Sequence, residues 1–232
     1  MQKYIRVLTI QFDTEIQQYE VACLRGAVLR VIGDNVDVLF HNHEEDGLRY
    51  SYPLIQYKRI NKKAAIVCVE EGTEVVGQLL MTANFSFDLG ERHVNMNIEK
   101  VIPQRIVFQT WNSSFQYRIR KWLPLNGENY KKYTQLDSLS EKLELLENIL
   151  VGNILSIGKG LGIQFESNIT CKLSAVGEPY MITYKGTKIM AFDVEFKSNV
   201  SLPEYIGIGR HASMGYGILT KKKEQKKQNN DE

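Results

Sequence analysis

Two histidines, His41 and His43, stand two residues apart in a long polar connection, Asp37-Val-Leu-Phe-His-Asn-His-Glu-Glu-Asp-Gly-Leu-Arg-Tyr-Ser-Tyr52. If residues 38–43 are extended, both imidazoles point the same way. Glu44-Glu-Asp-Gly47 is a turn signal, after which Arg49, Tyr50 and Tyr52 run back. A two-residue turn at Asp46-Gly47 sets His43 opposite Tyr50 and His41 opposite Tyr52; a four-residue turn sets His41 opposite Tyr50. Either register brings an imidazole beside a phenol. That grouping suits metal-free cleavage of RNA, in which a 2′-hydroxyl loses a proton as it attacks phosphorus, the leaving 5′-oxygen gains one, and the phosphorane charge is stabilised. Histidine serves as acid or base near neutral pH, and Tyr or Arg donates to phosphate oxygens.

Two other readings of the same residues stand beside it. The histidines could occupy an exposed loop without a role. They could also hold zinc or manganese with Glu44, Glu45 and Asp46, although the remaining histidines, His93 and His211, are at no ligand spacing.

A second feature lies near the other end, in Gly207-Ile-Gly-Arg-His-Ala-Ser-Met-Gly-Tyr-Gly217. Gly207, Gly209, Gly215 and Gly217 let the backbone turn sharply and approach a ligand, with Arg210 and His211 at the tip. Such a loop can present amides and charge to the phosphates of RNA; the plainer reading is a hairpin made of glycine for tight packing. It is no nucleotide P-loop, since no Gly-Lys-Ser/Thr follows and a strand, not a helix, comes next.

The elements around these features alternate between sheet and helix. Residues 3–12 read as a strand, and Thr14-Glu-Ile-Gln17 as the capping-box start of a helix that ends at Gly33. Residues 52–60 and 64–69 read as paired strands, 73–83 as a helix, and 94–108 as a strand broken at Pro103. This order, strand-helix-strand-strand-helix-strand, is the ferredoxin-like unit. In the second half a strand at 115–123, a helix capped at Ser138 and strands at 164–175, 188–197 and 216–220 repeat part of it. The expected fold is α+β: tandem ferredoxin-like (RRM-like) βαββαβ domains over 1–103 and 104–220, the second with the glycine-rich loop, followed by a disordered charged tail at 221–232.

Composition excludes little else. The chain has 232 residues and a formal charge of +2, too small to argue for nucleic acid by itself. Cys23, Cys68 and Cys171 are far apart in apolar surroundings and read as buried, reduced thiols. No apolar run approaches a membrane span and no signal peptide opens the chain, so the expected address is cytoplasmic.

The two glycine pairs flanking a basic tip resemble the signature of the repeat-associated RNA-binding proteins of CRISPR systems. Phe40-His-Asn-His43, Gly47-Leu-Arg-Tyr-Ser-Tyr-Pro-Leu-Ile-Gln-Tyr-Lys58 and Trp122-Leu-Pro-Leu-Asn-Gly-Glu-Asn-Tyr-Lys-Lys-Tyr133 are similar to the repeat-processing endoribonuclease Cas six, in its b-type branch. The resemblance implies an enzyme that cuts CRISPR repeat RNA once per repeat, without metal or cofactor, leaving 5′-hydroxyl and 2′,3′-cyclic phosphate ends. It implies His41, His43 or both as catalytic, with Tyr50 supporting, and does not say which is base and which acid. Arg49, Lys58 or Arg59 would then supply phosphate charge, with Tyr52 and the loop binding RNA. Other CRISPR effector subunits and a second copy of the chain are further partners it suggests. The competing functions are a non-catalytic RNA-binding subunit of such a complex and a metal-dependent hydrolase.

Overall fold

The computed structural model describes residues 4–32, 43–44, 47–48, 52–81 and 85–222. Gly33, His41, Arg49, Tyr50 and the tail 223–232 lie outside the described residues. The first half begins with β1 (Tyr4–Glu15) and α1 (Glu20–Ile32). Thr14 belongs to the strand and does not cap the helix; the Gln17 amide instead donates to the Glu20 carboxylate at 2.6 Å, closing the helix start three residues later than the Thr14 box implies. A short hairpin, β2 (His43–Glu44) and β3 (Gly47–Leu48), follows. Next come β4 (Ile55–Ile60) and β5 (Lys63–Val69), joined by Asn61 and Lys62, both at positive φ (49° and 69°), as a tight hairpin turn requires. Then α2 (Gly72–Met81), a hairpin of β6 (Ser86–Leu89) and β7 (Arg92–Asn95), and β8 (Ile98–Val107) complete the half.

The sheet order β4-β5-β1-β8 is antiparallel throughout and is that of a ferredoxin-like fold. Pro103 stands opposite Leu8 inside an unbroken β8. An edge strand tolerates it because the N–H it lacks would face away from the ladder.

The second half contains β9 (Thr110–Trp122), α3 (Gly127–Gln135), α4 (Leu139–Gly160), β10 (Cys171–Val176), β11 (Tyr180–Tyr184), β12 (Thr187–Val200) and β13 (Ile218–Lys221). Its order, β10-β12-β9-β13 with β11 on β12, repeats the first sheet. Residues 201–217, which include the glycine loop, occupy the chain position of the second helix. Ser138 caps α4 by accepting from the Ser140 amide, and Leu146, Leu150, Ile154 and Ile157 form its buried stripe.

One face of the first sheet packs Ile10, Ile55 and Ile66 under α1 and α2. The opposite face sends Ile5, Val7, Val67 and Val69 into a core that also holds the α4 stripe, Phe192 and Phe196. The two halves thus share one apolar interior, each large side chain within it contributing about 1.5–3 kcal/mol.

Candidate nucleic-acid site at the glycine loop

The loop is sewn to both sheets. Gly207 bridges Ile218, the Ile208 amide donates to Gly217 at 2.8 Å, and the Gly217 amide donates to Lys121 at 2.9 Å. On the other side Met214 bridges Tyr57, whose amide donates to the Ser213 carbonyl at 2.8 Å, so the loop extends the first sheet beyond β4. At Gly217 and Gly209 a side chain has no room. A Cβ on Gly217 (φ 62°) would fall 1.9 Å from the Ile208 oxygen, and one on Gly209 (φ 86°) 2.8 Å from Trp122 Nε1.

Beneath the loop stand residues of β4 and the segment before it. Tyr52 is buried and donates its hydroxyl to the Gly207 carbonyl at 2.9 Å; burial pushes its pKa well up, so it remains a donor. Gln56 accepts from the Gly207 amide at 2.8 Å. Lys58 is fully enclosed, donates to the Ala212 carbonyl at 2.6 Å, and is pushed by burial down to about 7. Arg59 donates its Nε to the Ile16 carbonyl. Tyr52 and Lys58, expected as contacts for RNA, thus commit their donors to the loop's own backbone, and Arg59, expected likewise, commits its Nε to Ile16. Strand alternation places Gln56 and Lys58 on the face that the loop covers.

At the tip Arg210 is exposed, with its Nη1 donating to the Leu125 carbonyl at 2.8 Å. His211 adopts φ 56° and turns its ring onto Tyr184 of β11, with centroids 4.1 Å apart, and edge-on to Tyr216 at 6.3 Å. Burial, then the charges of Arg210 and Lys185, lower the His211 pKa, which keeps the ring neutral at neutral pH. His93 lies elsewhere, exposed on β7 between Asp88 and Ser86 at 2.7 Å each.

A cleft of about 270 Å³ opens between the loop and α4. Tyr52 and Pro53 form one wall, Asn153, Ser156 and Ile157 of α4 another, and Gly209, Arg210 and Ala212 the third. Trp122 Nε1 donates to Asn153 Oδ1 at 3.1 Å beneath Gly209.

The His/Tyr connection reaches this cleft at its C-terminal end, Tyr52. His43 pairs with Leu48 and Glu44 with Gly47, which excludes the register that opposes His43 to Tyr50. His41 and Tyr50 lie outside the described residues. Among the described residues no group of three His, Cys, Asp or Glu side chains could hold a metal ion. No helix among them is long and apolar enough to cross a membrane.

The chain matches the Cas6b N-terminal domain over residues 3–106 and the Cas6b C-terminal domain over residues 109–222. It belongs to the Cas6b family. A Cas6b crystal structure shares its fold at a TM-score of 0.85, with 24% identity over 95% of this chain and 100% of that one. The crystal structure of a CRISPR RNA processing endoribonuclease Cas6b matches at a TM-score of 0.73, with 25% identity over 95% and 100% of the two chains. An uncharacterized protein of Methanocaldococcus jannaschii, MJ0978, is 42% identical over 106 residues, which are 46% of this chain and 71% of that protein.

In this Cas6b chain, Gln56, Asn153 and Tyr184 were not among the residues that the sequence singled out, although each touches or flanks the loop. Only Gln56 carried a local signal, as a polar residue between apolar neighbours in a strand. Asn153 and Tyr184 sit on elements whose relation to the loop depends on tertiary packing.

Proposed function

We propose that the chain is a metal-independent endoribonuclease that cuts CRISPR repeat RNA in precursor transcripts. The observation that carries this reading is the bond from Tyr52 to Gly207, because it ties the end of the His/Tyr connection to the loop suited to the RNA backbone. The likeness to a CRISPR RNA processing endoribonuclease Cas6b supports the same substrate class. In the reaction, one of His41 and His43 takes the proton of the 2′-hydroxyl as it attacks the adjacent phosphorus, and the other protonates the departing 5′-oxygen. Tyr50 and Arg49 donate to the phosphorane oxygens. The exposed Arg210 holds a flanking phosphate. The products are a 5′-hydroxyl and a 2′,3′-cyclic phosphate.

The test is incubation of the purified protein with repeat RNA in excess EDTA, with mapping of both new ends. Cleavage once per repeat is expected, abolished in the His41→Ala/His43→Ala double variant while binding persists. Full activity of that variant overturns the assignment. Binding without any cutting by the unaltered protein points to a non-catalytic RNA-binding subunit, and loss of cutting on chelation to a metal-dependent hydrolase.

A further inference from the structure

We infer that the cleft between α4 and the glycine loop receives one unpaired nucleobase next to the cut site, and that Asn153 selects a base with a carbonyl edge. The inference rests on the nuclease reading for the identity of its ligand and on the cleft for everything else.

An indole N–H can only donate. Trp122 is fully buried, and its N–H is directed at Asn153, so the carboxamide oxygen faces the indole. Asn153 therefore offers its NH₂ group to the cleft it lines. Gly209 packs against the indole so closely that a methyl group there would collide with Nε1, which holds the loop over this pair. Ser156, one turn further along α4, adds a hydroxyl that can donate or accept. Pro53 and Ile157 supply an apolar floor for the face of a ring. The Tyr52 hydroxyl is engaged by Gly207 and is unavailable to a ligand.

The volume lies just below that of ordinary small-molecule pockets, enough for a single base and too little for a base pair. Reading of splayed-out single bases is the usual route to sequence specificity in RNA. An asparagine free at both ends pairs with adenine through its donor and its acceptor. Here Trp122 already engages the oxygen and turns it toward the indole, so the NH₂ group is the edge left facing a ligand. On the edge that bears O4 of uracil or O6 of guanine these donors meet an acceptor, and on the same edge of cytosine or adenine they are opposed by the exocyclic amino group. Arg210 at the rim, anchored through Leu125, places a positive charge where the attached phosphate leaves the cleft.

The experiment uses a set of repeat RNAs in which each nucleotide flanking the cut is replaced in turn by the other three. Single-turnover cleavage and equilibrium binding are measured for the unaltered protein and for Asn153→Asp. The aspartate keeps an acceptor for Trp122 and exchanges the donor for a second acceptor. At one position the unaltered protein should prefer U or G over C or A by roughly tenfold. N153D should erase or reverse that preference there and leave the ranking at every other position unchanged. Ser156→Ala, on an exposed helix face, should weaken the same preference by a few fold without altering the melting temperature. Identical base rankings in all three proteins overturn the inference, and so does a loss spread evenly over every position. If the unaltered protein binds the set but cuts none of it, the nuclease reading fails alone, and the base preference is decided on the binding data. If it does not bind, both fall.

Discussion

Tyr52 and Gly207, 155 positions apart in the chain, are joined by a 2.9 Å hydrogen bond buried between the end of the His/Tyr connection and the start of the glycine loop. Removing the hydroxyl in Tyr52→Phe leaves the Gly207 carbonyl without this partner, at a cost of about 1–3 kcal/mol. Urea unfolding should register that loss. Cleavage of repeat RNA should fall further than global stability explains, since the variant loosens the spacing between the two parts of the site. Activity equal to that of the parent would show that this bond does not set the spacing.

Gly217→Ala and Gly186→Ala form a matched pair. Both positions have positive φ, 62° and 77°, and so incur similar backbone strain, about 1 kcal/mol. A methyl group at Gly186 meets nothing within 4 Å, whereas at Gly217 it lies 1.9 Å from the Ile208 oxygen. Thermal melting should show a small loss for G186A with RNA binding intact. G217A should lose binding and several degrees more in melting temperature.

Lys58 predicts a pH dependence of stability with a definite sign. Its folded pKa of about 7 lies below the value of about 10.4 for an unfolded lysine, so above pH 7 the unfolded chain binds the extra proton. Stability contributed through this group therefore rises with pH, by about 1.4 kcal/mol per unit between about pH 7 and pH 10, and is flat well below pH 7. Comparing urea midpoints of the parent and Lys58→Met at pH 6, 7, 8 and 9 isolates it. The slope of the difference should vanish at the acid end; equal slopes throughout would mean that the amine is not enclosed in solution.

Arg210 and His211 separate binding from chemistry. Arg210→Gln should weaken repeat-RNA affinity roughly tenfold and lower the salt slope of binding by about one unit, as for one lost phosphate contact. The single-turnover rate at saturating RNA should change much less. A rate that drops while affinity holds would place the neighbouring His211 in the chemistry, despite its stacking on Tyr184.

Local signals carried most of the architecture. Ser138 and the apolar stripe of α4 were legible because a cap and a helical period are encoded within a few turns of chain. Asn126, which caps α3 by accepting from the Asn129 amide, went unread because that helix buries none of its residues and so shows no apolar stripe. The β6–β7 hairpin was missed for a related reason: only Phe87 and Leu89 of its eight strand residues are buried. The site was half legible. Glycine spacing marked the loop, but the inward turn of Lys58 depends on Ala212, 154 positions away, and no short-range pattern distinguishes a lysine beneath a loop from one beside it.

The stitching of residues 207–218 to β4 on one side and β9 and β13 on the other has a consequence for how the chain could be divided. A fragment ending at Val107 keeps Tyr57 but lacks Ser213 and Met214; the complementary fragment keeps those two and loses the strand they lie against. Produced apart, each piece would also expose its share of the common interior. Mixed, they should reassemble through that surface and recover the loop in the same step, so that cutting becomes a reporter of two polypeptides meeting.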